Sequence, residues 1–525
     1  MVDRKNPTRT AGFIPAFIHL FLFPINYQLS TINHQPSTIN HQLPPMSLTH
    51  LTDFSDKLSP MLVKELRQGL RARSFTMLFL IFQILLGFIL LSASAASSMD
   101  NAGSFASGVI FTMFGIAALF IQPMRGVTAL SSEITGNTIE MMALTRLSAS
   151  RIVLGKWIAI VSQTALILIT IIPYLILRYF FGGMVLLGEL VFLSLIFLTS
   201  MALTAVMVGM SGTNAKLSRI LPFVAFIFMI QIIPGVLFRS GFNNFMSYCT
   251  LSDWESRIGI FSYLCFITYL GWCALSHGIS VIAPAAENHS TLRRLIALGL
   301  TCVAVGVGFH PAVEGYVLLV IFGIILAPAV ITALTEPSNL LPPICTPFLK
   351  RGLPGRIASV FLLPGWPAGV FYTVLLLALC ITGFLSAAGP AISPTEIAEI
   401  KLLTLAVVGG ILLAALLAAN FSKQENKRFT NFMIFLLGSI ILTILPSIFA
   451  NINHHENYLW LFIWNPPIFI AMADESSFDK SQLLTAVMIV DGIILTLLLA
   501  TAIIAFRGYR EIIKEAENGL STPVS

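Results

Sequence analysis

The stretch MLFLIFQILLGFILL, Met77 to Leu91, contains no charged residue, and runs of this kind recur along the whole chain. Each extends to roughly 20 residues, which in a helix rising 1.5 Å per residue matches a hydrocarbon core about 30 Å thick. No water is present in that layer to satisfy backbone amides, so a spanning run must be a helix or a strand of a closed barrel. Barrel strands alternate apolar and polar residues, whereas these runs are continuous. Composition agrees. Of 525 residues, 56% are hydrophobic and 10% are charged, against about 25% charged in soluble domains. The sequence therefore predicts an all-α fold, a polytopic transmembrane helical bundle in the lipid bilayer.

Twelve spans are expected, at about 75–95, 105–124, 158–177, 185–210, 220–238 and 258–283, then 295–311, 315–335, 366–387, 400–419, 431–450 and 483–506. The net charge of +6 bears on orientation rather than on nucleic acid, because basic residues collect on the cytoplasmic side. With the amino terminus inside, the cytoplasmic segments after Met46 hold 22 Lys and Arg. The opposite side holds five, Arg178, Arg239, Arg257, Lys401 and Lys480. Both termini are thus expected in the cytoplasm and the protein in a bacterial cytoplasmic (inner) membrane. The tract Trp460–Ala473, WLFIWNPPIFIAMA, is too short and too broken to span, and reads as a re-entrant or interfacial segment on the outer side, with Trp460 and Trp464 at headgroup depth. Pro173, Pro222, Pro234 and Pro328 are expected to kink their helices.

The first 45 residues differ from the rest. STINHQP at Ser30–Pro36 is followed at once by STINHQL at Ser37–Leu43, a polar tandem repeat with no hydrophobic period. Upstream, the short apolar run Ala11–Ile25 is interrupted by Pro15, His19 and Pro24, and no small-residue cleavage site follows it. Residues 1–45 are read as a non-native or disordered leader, with translation starting at Met46. Next comes MLVKELRQGLRAR, Met61–Arg73, in which Leu62, Leu66 and Leu70 recur every four residues. Lys64, Glu65, Arg67 and Arg71 fill the other faces. The pattern suits a helix lying in the headgroup plane; the alternative is a basic flank that only orients the first span.

Chemistry-bearing motifs are few. There is no GxxxxGK[ST] phosphate loop, no HExxH, no GxSxG and no cysteine pair at metal spacing. No enzymatic activity, cofactor or metal is expected of the chain, and any ATP hydrolysis belongs to a partner. The six cysteines are scattered and read as small core residues. His454, His455 and Glu456 read as a solvated loop. Within the spans, Asp491 is the clearest ionisable residue, and Glu189 lies near the start of the fourth. Asp491 is either a protonated, hydrogen-bonded contact between helices or a transport residue; Glu189 is placed to reach the interface.

The longest polar interruption of the first third, SSEITGNTIEMMALTRLSASRIVLGKW at Ser131–Trp157, falls between the second and third spans. The cytoplasmic segment 125–157 holds about 30 residues, where helix connections take about 2–8. Asn137 followed by Glu140 resembles a capping box. A helix is expected from Thr138 to about Arg146, with Ile139, Met142 and Ala143 on one side. Ser148 or Ser150 then caps the helix that runs through Gly155 and Lys156 into the third span. The result is a helical knuckle with apolar residues and charges of both signs, suited to docking a cytosolic partner; a bland membrane-surface loop is the alternative.

This stretch resembles the signature of the ABC-2 type permeases, membrane subunits of ATP-binding-cassette transporters. Glu133, Asn137-Thr138, Ile139-Glu140-Met141-Met142, Thr145-Arg146-Leu147-Ser148 and Ile152-Val153-Leu154-Gly155-Lys156 stand in the places of its acidic, Gly-Thr, helical, Thr-Pro-Leu-Ser and Gly-Lys elements. Asn137 replaces the usual Gly and Arg146 the usual Pro. SPMLVKELRQGLRAR similarly resembles the elbow helix of that family. The resemblance implies that Glu133–Ser148 is a coupling helix resting on a separate cytosolic ABC ATPase, and that the chain is the permease of an exporter with an unidentified substrate.

The resemblance covers about 60–284. The second half lacks the signature but repeats the layout, with a long cytoplasmic segment at Glu336–Leu363 and a broken outer segment before its last span. The expected organisation is therefore a leader (1–45), an amphipathic elbow (46–74), a first six-span unit (75–284), a linker (285–294), a second, diverged six-span unit (295–506) and a cytoplasmic tail (507–525). One chain then supplies both permease halves; a homodimer is the alternative assembly. Two other readings stay open, a proton-coupled secondary transporter using Asp491 and Glu189, and a non-transporting membrane scaffold.

Overall fold

The computed structural model describes residues 60–95, 102–136, 148–180, 186–212, 248–284, 286–309, 315–386, 394–422, 424–453, 456–474 and 478–521. Among these residues the chain is helical, with short 3-10 and π segments and no strand. The helices are α1 (Pro60–Arg71), α2 (Arg73–Ala95), α3 (Ala102–Gly115), α4 (Ser131–Thr135), α5 (Ala149–Tyr179), α6 (Leu186–Met210), α7 (Trp254–Ile282) and α8 (Ser290–Gly308). They continue with α9 (Gly315–Thr335), α10 (Pro342–Leu349), α11 (Gly352–Leu362), α12 (Trp366–Ser386), α13 (Pro394–Phe421), α14 (Arg428–Asn453), α15 (Ile468–Asp474) and α16 (Lys480–Ser521).

Ten helical stretches are long and apolar enough to cross a membrane among the described residues, which makes this a multi-pass helical membrane protein. An eleventh expected span coincides with α9. The expected fifth, 220–238, lies outside the described residues, as do Pro222 and Pro234. The large apolar side chains left exposed, such as Ile84 and Phe88 on α2 or Leu445 and Phe449 on α14, suit contact with lipid tails rather than water.

Local chemistry explains the elements. Leu62, Leu66 and Leu70 turn inward on α1 while Lys64, Arg67 and Arg71 stay exposed, as the fourfold spacing of its leucines requires. The second span is α3 prolonged through a π segment, Ile116–Ile121, which ends just before Pro123. Proline contributes no amide to the ladder, and π-bulges absorb such irregularities. The Ala118 carbonyl in the bulge accepts a bond from Ser200 Oγ of α6 at 2.5 Å. At the start of α16, the Ser481 amide and hydroxyl bond the Asp479 carboxylate at 3.1 and 2.8 Å, a side-chain cap for an otherwise open helix end.

The two halves share most of one packing scheme, except that α5 also packs on α6 whereas α12 and α13 form no comparable pair. In the first, α2 packs on α3 and α5, α3 on α5, the prolongation of α3 on α6, and α7 on both α5 and α6. In the second, α8 packs on α9 and α12, α9 on α12 and α13, and α16 on both α12 and α13. Two cores result: one around Phe111, Phe114, Ile167 and Ile171, the other around Leu318, Phe322, Tyr372 and Phe432. The halves join where Tyr269 of α7 donates to the Ile325 carbonyl of α9 at 3.2 Å.

The segment 336–363, expected as a long loop, folds into the α10–α11 pair. It packs on α16 through Ile344, Cys345, Phe348, Phe506 and Tyr509. Burial there pushes the Cys345 thiol up to about 11. The tract Trp460–Ala473 is broken as its sequence predicts. A 3-10 segment (Glu456–Phe462) leads through Asn465, Pro466 and Pro467 into α15, with Ile468, Phe469 and Met472 fully buried and Trp460 and Trp464 exposed.

Candidate functional site

Three of the sequence-predicted polar residues meet on the α1 side of the first half. The Ser148 carbonyl takes the first backbone bonds of α5, from the Arg151 and Ile152 amides at 3.0 and 3.3 Å, and the Ser148 and Ser150 hydroxyls lie 3.1 Å apart. This start directs Gly155 and Lys156 inward, and both are buried. Lys156 Nζ donates to Glu65 Oε1 of α1 and to Glu133 Oε1 of α4, each at 3.0 Å. The Lys156 side chain is 6% exposed, and its partners 17% and 15%. Charge-assisted bonds so shielded from water are stronger than surface pairs. The ammonium is the counterion that allows a carboxylate of α1 and one of α4 to be tucked against α5.

Further contacts fix the same joint. Arg125 donates to Gln163 Oε1 of α5, and its guanidinium stands 5.7 Å from the Phe75 ring centroid. Gly69 of α1 presses so closely on the Gln163 amide that a Cβ there would collide with it. The Leu130 amide donates to Ser211 Oγ at 3.0 Å, just beyond the end of α6. The beginning of the 125–157 segment is thus bolted to α1, α5 and the end of α6. Asn137, Thr138, Glu140, Met142 and Arg146, with the helix expected over them, lie outside the described residues.

Sequence reasoning missed a second cluster. Glu336, just past α9, takes Arg293 at 3.2 Å and Arg294 at 2.8 Å from the start of α8. Its carboxylate also accepts from Ser290 Oγ and from the Gly365 amide, the latter at 3.0 Å. Arg294 donates in addition to the carbonyls of Phe361, Leu363 and Gly365 at 3.0, 2.6 and 2.9 Å. It thereby clamps the end of α11 to the start of α12. The adjoining cavity, lined by Tyr269, Cys273, Arg293 and Glu336 among others, measures about 10 Å³, room for about one water. Nearby, Glu425 accepts from the Ser338 amide at 2.9 Å, and Arg428 lies 4.3 Å over the Trp366 ring. The readable signal was an acidic residue just after one span and paired arginines just before its neighbour, on the same side; in a list of flanking charges they look like orientation signals.

The two intramembrane acids depart from expectation. Glu189 does not reach outward: it is 3% exposed and accepts from Ser107 Oγ at 3.3 Å, because its face of α6 packs against α3. Asp491 is 8% exposed, and neither of its oxygens has a hydrogen-bond partner, so the structure shows no interhelical hydrogen bond for the first of its two readings. Asp491 and Pro466 both stand against Gly409 of α13, which has no side-chain donor to offer.

Among the described residues, no three His, Cys, Asp or Glu side chains are grouped to hold a metal ion. Both charged clusters join helix ends to one another and hold no reacting group in an open pocket. No protein-family model, curated protein or solved structure gives a match to this chain.

Proposed function

We propose that the chain is the permease subunit of an ABC-2-like transporter, moving a substrate outward with energy from a separate cytosolic ATPase. One observation carries this reading: the Glu65–Lys156–Glu133 joint ties the start of the 125–157 segment to the elbow helix α1 and to α5. These are the parts whose residues resemble the elbow, signature loop and third span of ABC-2 permeases. A force applied at Ser131–Thr135 passes through two short ion pairs to α1 and α5. The charge bias supports a cytoplasmic position for this joint and for both termini, and hence a place in the bacterial cytoplasmic membrane. The repeated packing of the two halves supports a single chain supplying both halves of the permease.

The test uses the full-length chain and a candidate ATPase, chosen as the product of any adjacent reading frame that carries a phosphate loop and an ABC signature. Glu133→Ala and Arg146→Glu are expected to lower co-purification of that ATPase while membrane insertion stays intact. Unchanged association of both variants would count against the coupling role.

A further inference from the structure

A carboxyl group without a partner sits where three elements of the second half meet. Gly409 of α13 faces Asp491 of α16 so closely that a Cβ would collide with Asp491 Oδ1 and fall 2.6 Å from Pro466 Cβ. The adjacent Gly410 faces Pro467, whose Cγ would be 2.7 Å from a Cβ. The glycine pair therefore seats the broken segment Asn465–Pro467, and Asp491 closes against that seat. The segment is held from its other side by α14. Ser439 Oγ donates to Asn465 Oδ1 at 2.5 Å, and Asn465 Nδ2 donates to the Ser439 carbonyl at 2.9 Å and to Thr443 Oγ1 at 3.1 Å.

No charge compensates an ionised Asp491. The elements packed most extensively on α16 are α10, α12, α13 and α15, and α11 reaches its far end through the Arg356–Glu517 ion pair at 2.5 Å. α13 brings Glu396, Glu399 and Lys401, all in its first turns; Lys401 is eight residues from Gly409, ~12 Å along the axis. Glu399 is tied to Lys480 at 2.8 Å. α15 brings Asp474 at its end, while α10 and α12 bring only Cys345, Tyr372 and Cys380 as titratable groups. Arg428 stands at the far end of α14. Asp479, just before the start of α16, shows the contrast: the two Ser481 bonds hold its carboxyl below the usual range. An unpaired carboxylate in an apolar seat is far costlier than the neutral acid.

We propose that Asp491 is a proton-binding site whose occupancy latches the broken segment against α13. With the segment seated, Asp491 is a carboxylic acid. As the segment lifts and water enters, the O–H bond breaks heterolytically, the proton passes to water and the electron pair stays on the carboxylate. The charged group then no longer fits between Gly409 and Pro466. Nothing in this device requires the ATPase, so it stands or falls apart from the coupling reading.

The test uses the full chain in lipid vesicles. Infrared spectra are expected to show a carboxylic-acid C=O band that persists at neutral pH, where exposed carboxyls are ionised, and is missing from Asp491→Asn. Should that variant fail to insert, Asp491→Glu keeps the acid but moves it, and is expected to shift the band. In parallel, Ile468→Cys, at a fully buried position, is expected to be protected at acidic pH. At alkaline pH it should be alkylated severalfold faster than the same cysteine in the D491N background. The proposal is overturned by a neutral-pH spectrum with no Asp491-dependent acid band, by a band unmoved in D491E, or by labelling with the same pH profile in both backgrounds. It is equally overturned if sodium or potassium ions discharge the band at constant pH, which would assign the site to a metal cation.

Discussion

Lys156 is the residue on which the first-half joint depends, because one ammonium serves two carboxylates. Replacing it by methionine keeps roughly the length of the side chain and removes the one ammonium that Glu65 and Glu133 share. Breaking a buried pair from one side costs about 3 kcal/mol. K156M should therefore lower the midpoint of thermal unfolding in detergent clearly, while K156M combined with E65Q and E133Q should recover part of the loss. No recovery in the triple variant would mean that the two carboxylates are not what Lys156 neutralises. The sequence displays these three residues but not their meeting: Glu65 lies 91 positions from Lys156 and Glu133 lies 23. Gly365 carries another constraint visible only in the fold. Its φ of +105° favours glycine, and a Cβ there would collide with the Tyr509 hydroxyl, which bonds the Pro364 carbonyl at 3.1 Å.

At the scale of elements, α6 and α7 cross closely in the first half. A Cβ on Gly209 would collide with the Ala274 carbonyl, and one on Gly278 would fall 2.8 Å from the Gly209 Cα. Backbones approach so closely only through small residues, the usual device of helix pairs in membranes, where lipid tails remove any hydrophobic drive to associate. Gly209→Val should force the pair apart and cost about 1–3 kcal/mol by overpacking, read as a lower unfolding midpoint with helix content retained. An unchanged midpoint would mean that the crossing is looser than described. The apolar runs predict the existence of these helices well, because a span must be long, continuous and free of charge, but not their ends: α16 runs on to Ser521, past the expected 506. They do not predict the pairings, since glycine and alanine look alike in hydropathy whether they face a helix or a lipid tail. The α10–α11 pair was missed for a related reason: its proline-rich start reads as loop, yet Pro342 and Pro343 occupy the first helical turn, where no amide is needed.

For the whole molecule, the repeated pairing scheme is the main addition to the sequence. The second half carries no trace of the signature at 131–157, but most of its helix pairs have counterparts in the first; the α5–α6 pair has none of comparable extent in α12 and α13. Orientation belongs to this scale as well. The excess of Lys and Arg on the side of α1 predicts that tags placed ahead of Pro60 and after Gly519 are both reached only from the cytosol. A tag after Gly519 accessible from outside would mean that the Trp460–Ala473 tract crosses the membrane after all. The burial of Phe469 and Met472 against α13 and α16 argues for a segment packed into the bundle from one side.

The sequence by itself determined the class of the protein, the positions of its spans and the break at Asn465–Pro467. These follow from local quantities: the length of an apolar run, the cost of burying charge and the missing amide of proline. Only the tertiary structure decided which charges pair, that Glu189 turns inward, that 336–363 is helical and that Asp491 has no partner. Each of those outcomes depends on which helix faces which, and hydropathy is nearly the same on every side of a helix surrounded by lipid and protein.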